Sequence, residues 1–132
     1  MGDLGRKMAK TTILIVDDNR DIRDFMQIAL EAAGYGVHTA TEGAQALAMQ
    51  RERPADVLVT DIFMPGQEGM ATIAGFKAEF PATRIIAMSA GGGAGKLDFL
   101  SAAALIGADA TLRKPFTADQ LLETVRTVLQ PR

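Results

Sequence analysis

Five short strand-like runs, each followed by a segment of helical period, constrain this chain more than any other feature. Thr12-Ile13-Leu14-Ile15-Val16 is continuous and rich in β-branched residues. It is too short for a helix and suits a strand covered on both faces. Gly36-Val37-His38-Thr39-Ala40 is a second, shorter run. Val57-Leu58-Val59-Thr60 is the third, Arg84-Ile85-Ile86-Ala87-Met88 the fourth, and Asp109 to Leu112 a weaker fifth.

Between them the period changes. Ile22, Phe25, Met26, Ala29 and Ala33 fall on one helical face, and Gly34 stops that helix as a C′ glycine. Thr41 or Glu42 opens a second helix reaching about Gln50, with Pro54 beyond it. Met70, Ile73, Phe76 and Phe80 space a third, closed by Pro81. Residues 96–106 form a fourth, stopped by Gly107. Thr117-Ala118-Asp119-Gln120 matches a capping box, and Leu121, Leu122, Val125, Val128 and Leu129 carry the fifth. Parallel strands need crossovers, and helices are what cross over. The alternation therefore predicts one α/β domain over 12–130 with a parallel sheet, preceded by a lead-in over 1–11.

Composition excludes several alternatives. At 132 residues the chain can bury a core without staples, and it has no cysteine for a disulfide or thiolate site. A net charge of −2 gives no electrostatic case for nucleic acid. No apolar run approaches the roughly 20 residues of a membrane span. The first ten residues lack the apolar core of a signal peptide, so a cytoplasmic setting is expected.

The strand ends carry the chemistry. The first strand ends in Asp17-Asp18, the third in Asp61, the fourth in Ser89 and the fifth near Lys114. In a parallel sheet these ends share one edge, where open α/β sheets bind ligands. Clustered carboxylates repel one another unless a cation neutralises them, and oxygen-only ligation suits Mg²⁺. A carboxylate can also attack phosphorus to give an acyl phosphate, which needs positive charge and donors around it. Taken singly, Asp17-Asp18 would cap the first helix, Ser89 would be a turn residue, and Lys114 a solvated charge. Their joint placement favours the site. His38, the only histidine, reads as a solvated edge-strand residue. Gly91 to Lys96 fails as a phosphate loop, because Ala90 and Leu97 stand where that pattern needs Gly and Ser or Thr.

With these residues in place, the chain resembles the receiver domains of two-component response regulators across residues 12 to 129. The resemblance rests on Ile15-Val16-Asp17-Asp18, on Asp61-Ile62-Phe63-Met64-Pro65 with Gly69, on Ser89-Ala90, and on Lys114-Pro115-Phe116. It implies a flavodoxin-like fold with strand order 2-1-3-4-5. Asp61 would be the phospho-acceptor, charged from a histidine kinase or a histidine phosphotransfer protein. Asp18, Asp61 and the backbone carbonyl of Phe63 would ligate Mg²⁺, with Asp17 acting through water. Ser89 would be the switch hydroxyl, Lys114 would pair with the phosphoryl group, and the Lys114–Pro115 bond would be cis. The resemblance further implies a stand-alone signalling protein rather than an enzyme with an external substrate. Its output would leave by protein contact through the fourth helix, fifth strand and fifth helix, to a target protein or a second copy.

Two departures from the family pattern stand out. Thr111 occupies the position where the family usually carries an aromatic switch partner of Ser89. The loop after Ser89 is unusually rich in glycine. Phe63 and Gly91, at positions that influence loss of the phosphoryl group, cannot orient water by a side-chain hydrogen bond, which implies slow autodephosphorylation. Thr111 favours one alternative, a phosphate-independent interaction module. A phosphoaspartate phosphatase is disfavoured, since Phe63 stands where such enzymes carry a second aspartate. The fourth helix carries two apolar stripes, one with Leu97, Leu100 and Ala104 and one with Phe99, Ala102, Ala103 and Ile106, so one of them is a candidate partner surface.

Overall fold

In a computed structural model, which describes residues 10–62, 68–90, 104 and 107–131, the strands are β1 (Thr12–Val16), β2 (Gly36–Ala40), β3 (Val57–Asp61), β4 (Arg84–Ala90) and β5 (Ala110–Lys114). They form one parallel sheet in the order β2-β1-β3-β4-β5. Helices α1 (Arg20–Ala32), α2 (Gly43–Glu52), α3 (Glu68–Glu79) and α4 (Ala118–Leu129) are the ones among the described residues. Apart from Ala104, which is helical, the expected helix over 96–106 lies outside them, as do Phe63, the glycine-rich loop and most of the lead-in.

Alternation within each strand divides the core in two. Ile13, Ile15, Val57, Val59, Ile86 and Met88 face one side, where Met26 and Leu30 of α1 and Leu121 and Val125 of α4 cover them. Leu14, Val16, Leu58, Ile85 and Ala87 face the other, under Ala46 of α2 and Ile73 and Phe76 of α3. Period-2 side-chain alternation places these sets without further instruction. Burial of each large aliphatic side chain stabilises the fold by about 1.5–3 kcal/mol.

Several ends are fixed by named polar groups. Asn19 caps α1, its side chain accepting from the Ile22 N–H. Gly34, at φ 100°, closes α1. Its N–H bonds to the Glu31 carbonyl and that of Tyr35 to Leu30, which is a Schellman closure. Thr117 and Gln120 make the reciprocal capping box of α4. At the opposite sheet edge, Asp56 Oδ2 accepts from the Thr12 N–H and Asp109 Oδ2 from the Ile85 N–H. These two carboxylates pair the first N–H of β1 and the second of β4, while the first N–H of β4, that of Arg84, bonds to the Asp56 carbonyl.

Some element ends and one side chain differ from the expectation. Strand β5 runs on to Lys114 itself. Helix α2 opens at its expected cap, Glu42, with Gln45 reaching back to accept from Thr41, but continues past Gln50 to Glu52. Phe25 is not part of the buried face of α1: it is 40% exposed, while Leu30 takes the core position. Phe25 stands at i+3 from Ile22 and Leu30 at i+4 from Met26, so helical spacing fits both, and only the packing direction of the helix decides between them.

Gln50 is the most deeply buried amide of the α2 side. It donates to the Ala55 carbonyl and to Thr83 Oγ1, both at 3.1 Å, and accepts from the Ala55 N–H at 2.9 Å. Gln50→Leu should therefore lower the unfolding free energy by about 1–3 kcal/mol, because it strands the buried Ala55 N–H and leaves the Ala55 carbonyl only the long bond from the Thr83 hydroxyl. Urea unfolding tests this; an unchanged midpoint would mean that the network relaxes at no cost.

Candidate functional site: an acidic cluster bridged by a lysine

Strand order fixes where the site must be. The chain leaves β1 toward β2, then returns to place β3 on the other side of β1. That reversal opens a crevice at the carboxyl ends of β1 and β3. These two ends carry Asp17-Asp18 and Asp61.

Asp17 is fully buried and Asp61 is 5% exposed, whereas Asp18 faces solvent. Each offers a carboxylate oxygen, and the three oxygens lie within 4.8 Å of one another. Lys114 reaches this cluster from the end of β5. Its Nζ donates to Asp17 Oδ2 at 2.6 Å and to Asp61 Oδ2 at 3.0 Å. The Lys114–Pro115 peptide bond is cis.

Burial disfavours the charge on Lys114 and is the largest single influence on it. The hydrogen bonds to Asp17 and Asp61 and the Coulombic attraction of both carboxylates together outweigh it, so its pKa is raised above the ordinary lysine range. A raised folded-state pKa gives stability that is complete below the unfolded lysine value. It is lost only as pH climbs through the raised value. Across the neutral range the ammonium stays charged.

The surroundings of Asp17 are specified atom by atom. Its Oδ1 accepts from the Asn19 N–H at 2.8 Å, and its N–H bonds to the Ala40 carbonyl. Its carbonyl accepts from Nη1 of Arg23 at 2.7 Å. Asn19, not Asp17 or Asp18, caps the helix, so the capping explanation of the two aspartates does not apply. Sequence reading passed over both Asn19 and Arg23. The available signal was an Arg one turn into a helix that follows directly on an acidic strand end.

Gly69 has a steric reason to be glycine. It lies in the first turn of α3, and a Cβ there would overlap the Asp61 carbonyl oxygen and the Cα of Ile62. The missing side chain lets α3 close on the backbone that carries Asp61.

Ser89 is buried, and its hydroxyl donates to the Ala90 carbonyl at 3.2 Å. Thr111 is exposed on β5, two residues from the strand's paired Arg113, which registers with Ser89. His38 is half-buried on the edge strand β2, away from the acidic cluster. Phe63 lies outside the described residues. Beside Lys114 is an apolar depression of about 450 Å³, lined by Ile22, Phe25, Ala90, Pro115 and Phe116. The Phe25 and Phe116 rings stand 6.2 Å apart across it.

Known proteins share this arrangement of chain. A family model described as the response regulator receiver domain matches residues 13–126. The transcriptional regulatory protein KdpE of Mycobacterium tuberculosis is 32% identical over 120 residues, covering 91% of this chain and 51% of that protein. The C4-dicarboxylate transport transcriptional regulatory protein DctD of Rhizobium meliloti is 32% identical over 124 residues, 94% of this chain and 26% of its own length. The chain thus spans about half, or less, of these curated relatives. Among solved structures, the receiver domain of NtrX from Brucella abortus superposes with a TM-score of 0.83 at 30% identity, covering 91% of this chain and 99% of that one. The chemotaxis response regulator CheY4 of Vibrio cholerae does so at 0.80 and 31%, covering 92% and 100%.

The bridge makes a stability prediction. Lys114→Met leaves Asp17 and Asp61 buried side by side without their cation. It should cost about 3 kcal/mol in divalent-free buffer, and clearly less when Asp17→Asn is already present. Equilibrium unfolding of the four proteins in this cycle measures the coupling. Equal costs in both backgrounds would show that the lysine does not offset carboxylate repulsion.

Proposed function

The chain belongs to the response regulator receiver domain family of two-component systems, and we propose that it is switched by phosphorylation of Asp61. The observation that carries the reading is the bridge of Lys114 between Asp17 and Asp61 at the end of the sheet's central strands. It unites an acceptor carboxylate, a neighbouring acid pair and a fixed positive charge.

Receiver domains of this family bind Mg²⁺ through acidic residues, and the donor set here fits that ion. Three carboxylates with mutual access and solvent on the Asp18 side suit a hard cation that keeps part of its water. Asp18 and Asp61 would hold it directly, with the Phe63 carbonyl, and Asp17 through water. When bound, Mg²⁺ supplies neutralising charge to the oxygens of the group in transfer.

The remaining chemistry is done by the chain's own residues. A carboxylate oxygen of Asp61 attacks the phosphorus of a phosphohistidine in line. The P–N bond breaks as the O–P bond forms, and its electron pair leaves with the imidazole nitrogen. Lys114, already on the Asp61 carboxylate, then pairs with the phosphoryl oxygens. Ser89 turns its hydroxyl from the Ala90 carbonyl toward the same group. The donor is a sensor histidine kinase or a phosphotransfer protein, and the apolar depression between Ile22, Phe25 and Phe116 offers its docking footing beside Lys114. A cytoplasmic setting goes with such donors.

Output is assigned to the face that includes β5 and α4. Thr111, Arg113, Gln120 and Glu123 line a shallow depression of about 350 Å³ on that face. With Thr111 in place of an aromatic ring, displacement of Ser89 would be transmitted by the backbone of β4 and the loop after it rather than by a swinging side chain. The partner is a target protein or a second copy of the chain. As a family of signalling proteins, receivers are not enzymes in the ordinary sense, and the phosphoryl group stays on the domain until it is passed on or hydrolysed.

Intact-mass measurement after incubation with Mg²⁺ and a small phosphodonor tests this. One added phosphoryl group is expected, absent in Asp61→Asn and absent without the ion. Its loss over time should be slow, given Phe63 and Gly91. No adduct from either a small donor or a cognate kinase would favour the phosphate-independent module instead.

A further inference from the structure

We infer that Arg23 is a positioning residue for the divalent-cation site, acting through the Asp17–Asp18 peptide plane. This rests on the Mg²⁺ reading above and adds to it a residue that the acidic cluster alone does not identify.

Asp18 is the exposed member of the cluster, and among the described residues no donor holds its carboxylate. What the protein fixes of it is therefore the backbone from which the carboxylate extends. A peptide unit is planar, so fixing the direction of one carbonyl fixes the N and Cα of the residue that follows. The carbonyl in question is that of Asp17, and Arg23 Nη1 holds it at 2.7 Å.

Arg23 is itself well anchored. Its N–H makes the first bond of α1, to the carbonyl of the cap residue Asn19. Its side chain is half-buried. Asn19 in turn donates its N–H to Asp17 Oδ1. Helix start, arginine and strand end thus form one closed set of hydrogen bonds, with Lys114 on the remaining carboxylate oxygen of Asp17. Asp17 is tied at its N–H, its carbonyl and both carboxylate oxygens. Asp18 inherits that rigidity through the shared peptide. A guanidinium suits the task because its planar fork loses little freedom when it bonds.

Electrostatics pull the other way. Arg23 is a cation close to a site meant for a dication, so charge alone predicts that removing it tightens Mg²⁺ binding. Positioning predicts the reverse. The sign of the change separates the two roles.

The experiment titrates Mg²⁺ alone into the unphosphorylated protein, followed by calorimetry and by the backbone amide shifts of residues 17 and 18. It compares wild type, Arg23→Met, Arg23→Lys and, as a binding-deficient reference, Asp18→Asn. Arg23→Met keeps an unbranched side chain of similar reach but has no donor. Its Mg²⁺ dissociation constant should rise about tenfold, the scale seen when groups orienting metal ligands are removed. Arg23→Lys keeps a donor and the charge and should recover most of the loss. The metal-free amide signal of Asp18 should shift in Arg23→Met and return toward wild type in Arg23→Lys. A wild type that binds, with Arg23→Met binding equally well or more tightly, overturns the positioning role and leaves the metal site standing. A wild type with no saturable binding overturns the metal reading and this inference with it.

Discussion

Everything at the carboxyl edge of the sheet depends on the ammonium of Lys114. A parallel sheet in this order delivers Asp17, Asp18 and Asp61 to one crevice whatever their mutual repulsion. Two of them are almost wholly buried. Unpaired carboxylates there would take up protons or push the strand ends apart. Lys114 answers both with one group, and it can do so because β5 continues to that residue and delivers it level with Ala90 of β4. The charge that steadies the resting fold is the charge that a phosphoryl group would later meet. Under the proposed function, stability and signalling would draw on the same contact.

That arrangement also explains the unequal exposure of the acids. Asp17 is built in, saturated with protein donors. Asp18, one residue on, is left to solvent, where an ion with its own water can approach. Asp61 lies between these extremes, buried but reached by the lysine. A steric allowance at Gly69 keeps the backbone behind it in place. Three chemically identical side chains thereby acquire three different surroundings from their positions alone.

Much of this was legible in the chain. The β-branched runs and helical periods marked all five strands and four helices of the described structure within a few residues, because burial on both faces leaves little freedom in the pattern. The strand-end acids and Lys114 were legible too, since parallel topology sends every strand end to one edge. Other features were hidden for physical reasons. The burial of Leu30 and exposure of Phe25 depend on how α1 is rotated against the sheet, which spacing does not specify. The reason for Gly69 is a contact with backbone, invisible to any pattern of side chains. Arg23 and Asn19 act through main-chain atoms of Asp17, and neither advertises itself by charge clustering. Ser89 shows in this structure one arrangement of its hydroxyl, toward Ala90, and Thr111 is exposed on β5 opposite Ala87.

The most direct test of the central claim is chemical location of the modified residue. An acyl phosphate on aspartate is reduced by borohydride to homoserine, and peptide mass mapping then identifies the position. The account predicts homoserine at residue 61 alone, in protein treated with phosphodonor and Mg²⁺. Homoserine at 17 or 18, or a stable phosphoryl group that survives reduction on another residue, would contradict it.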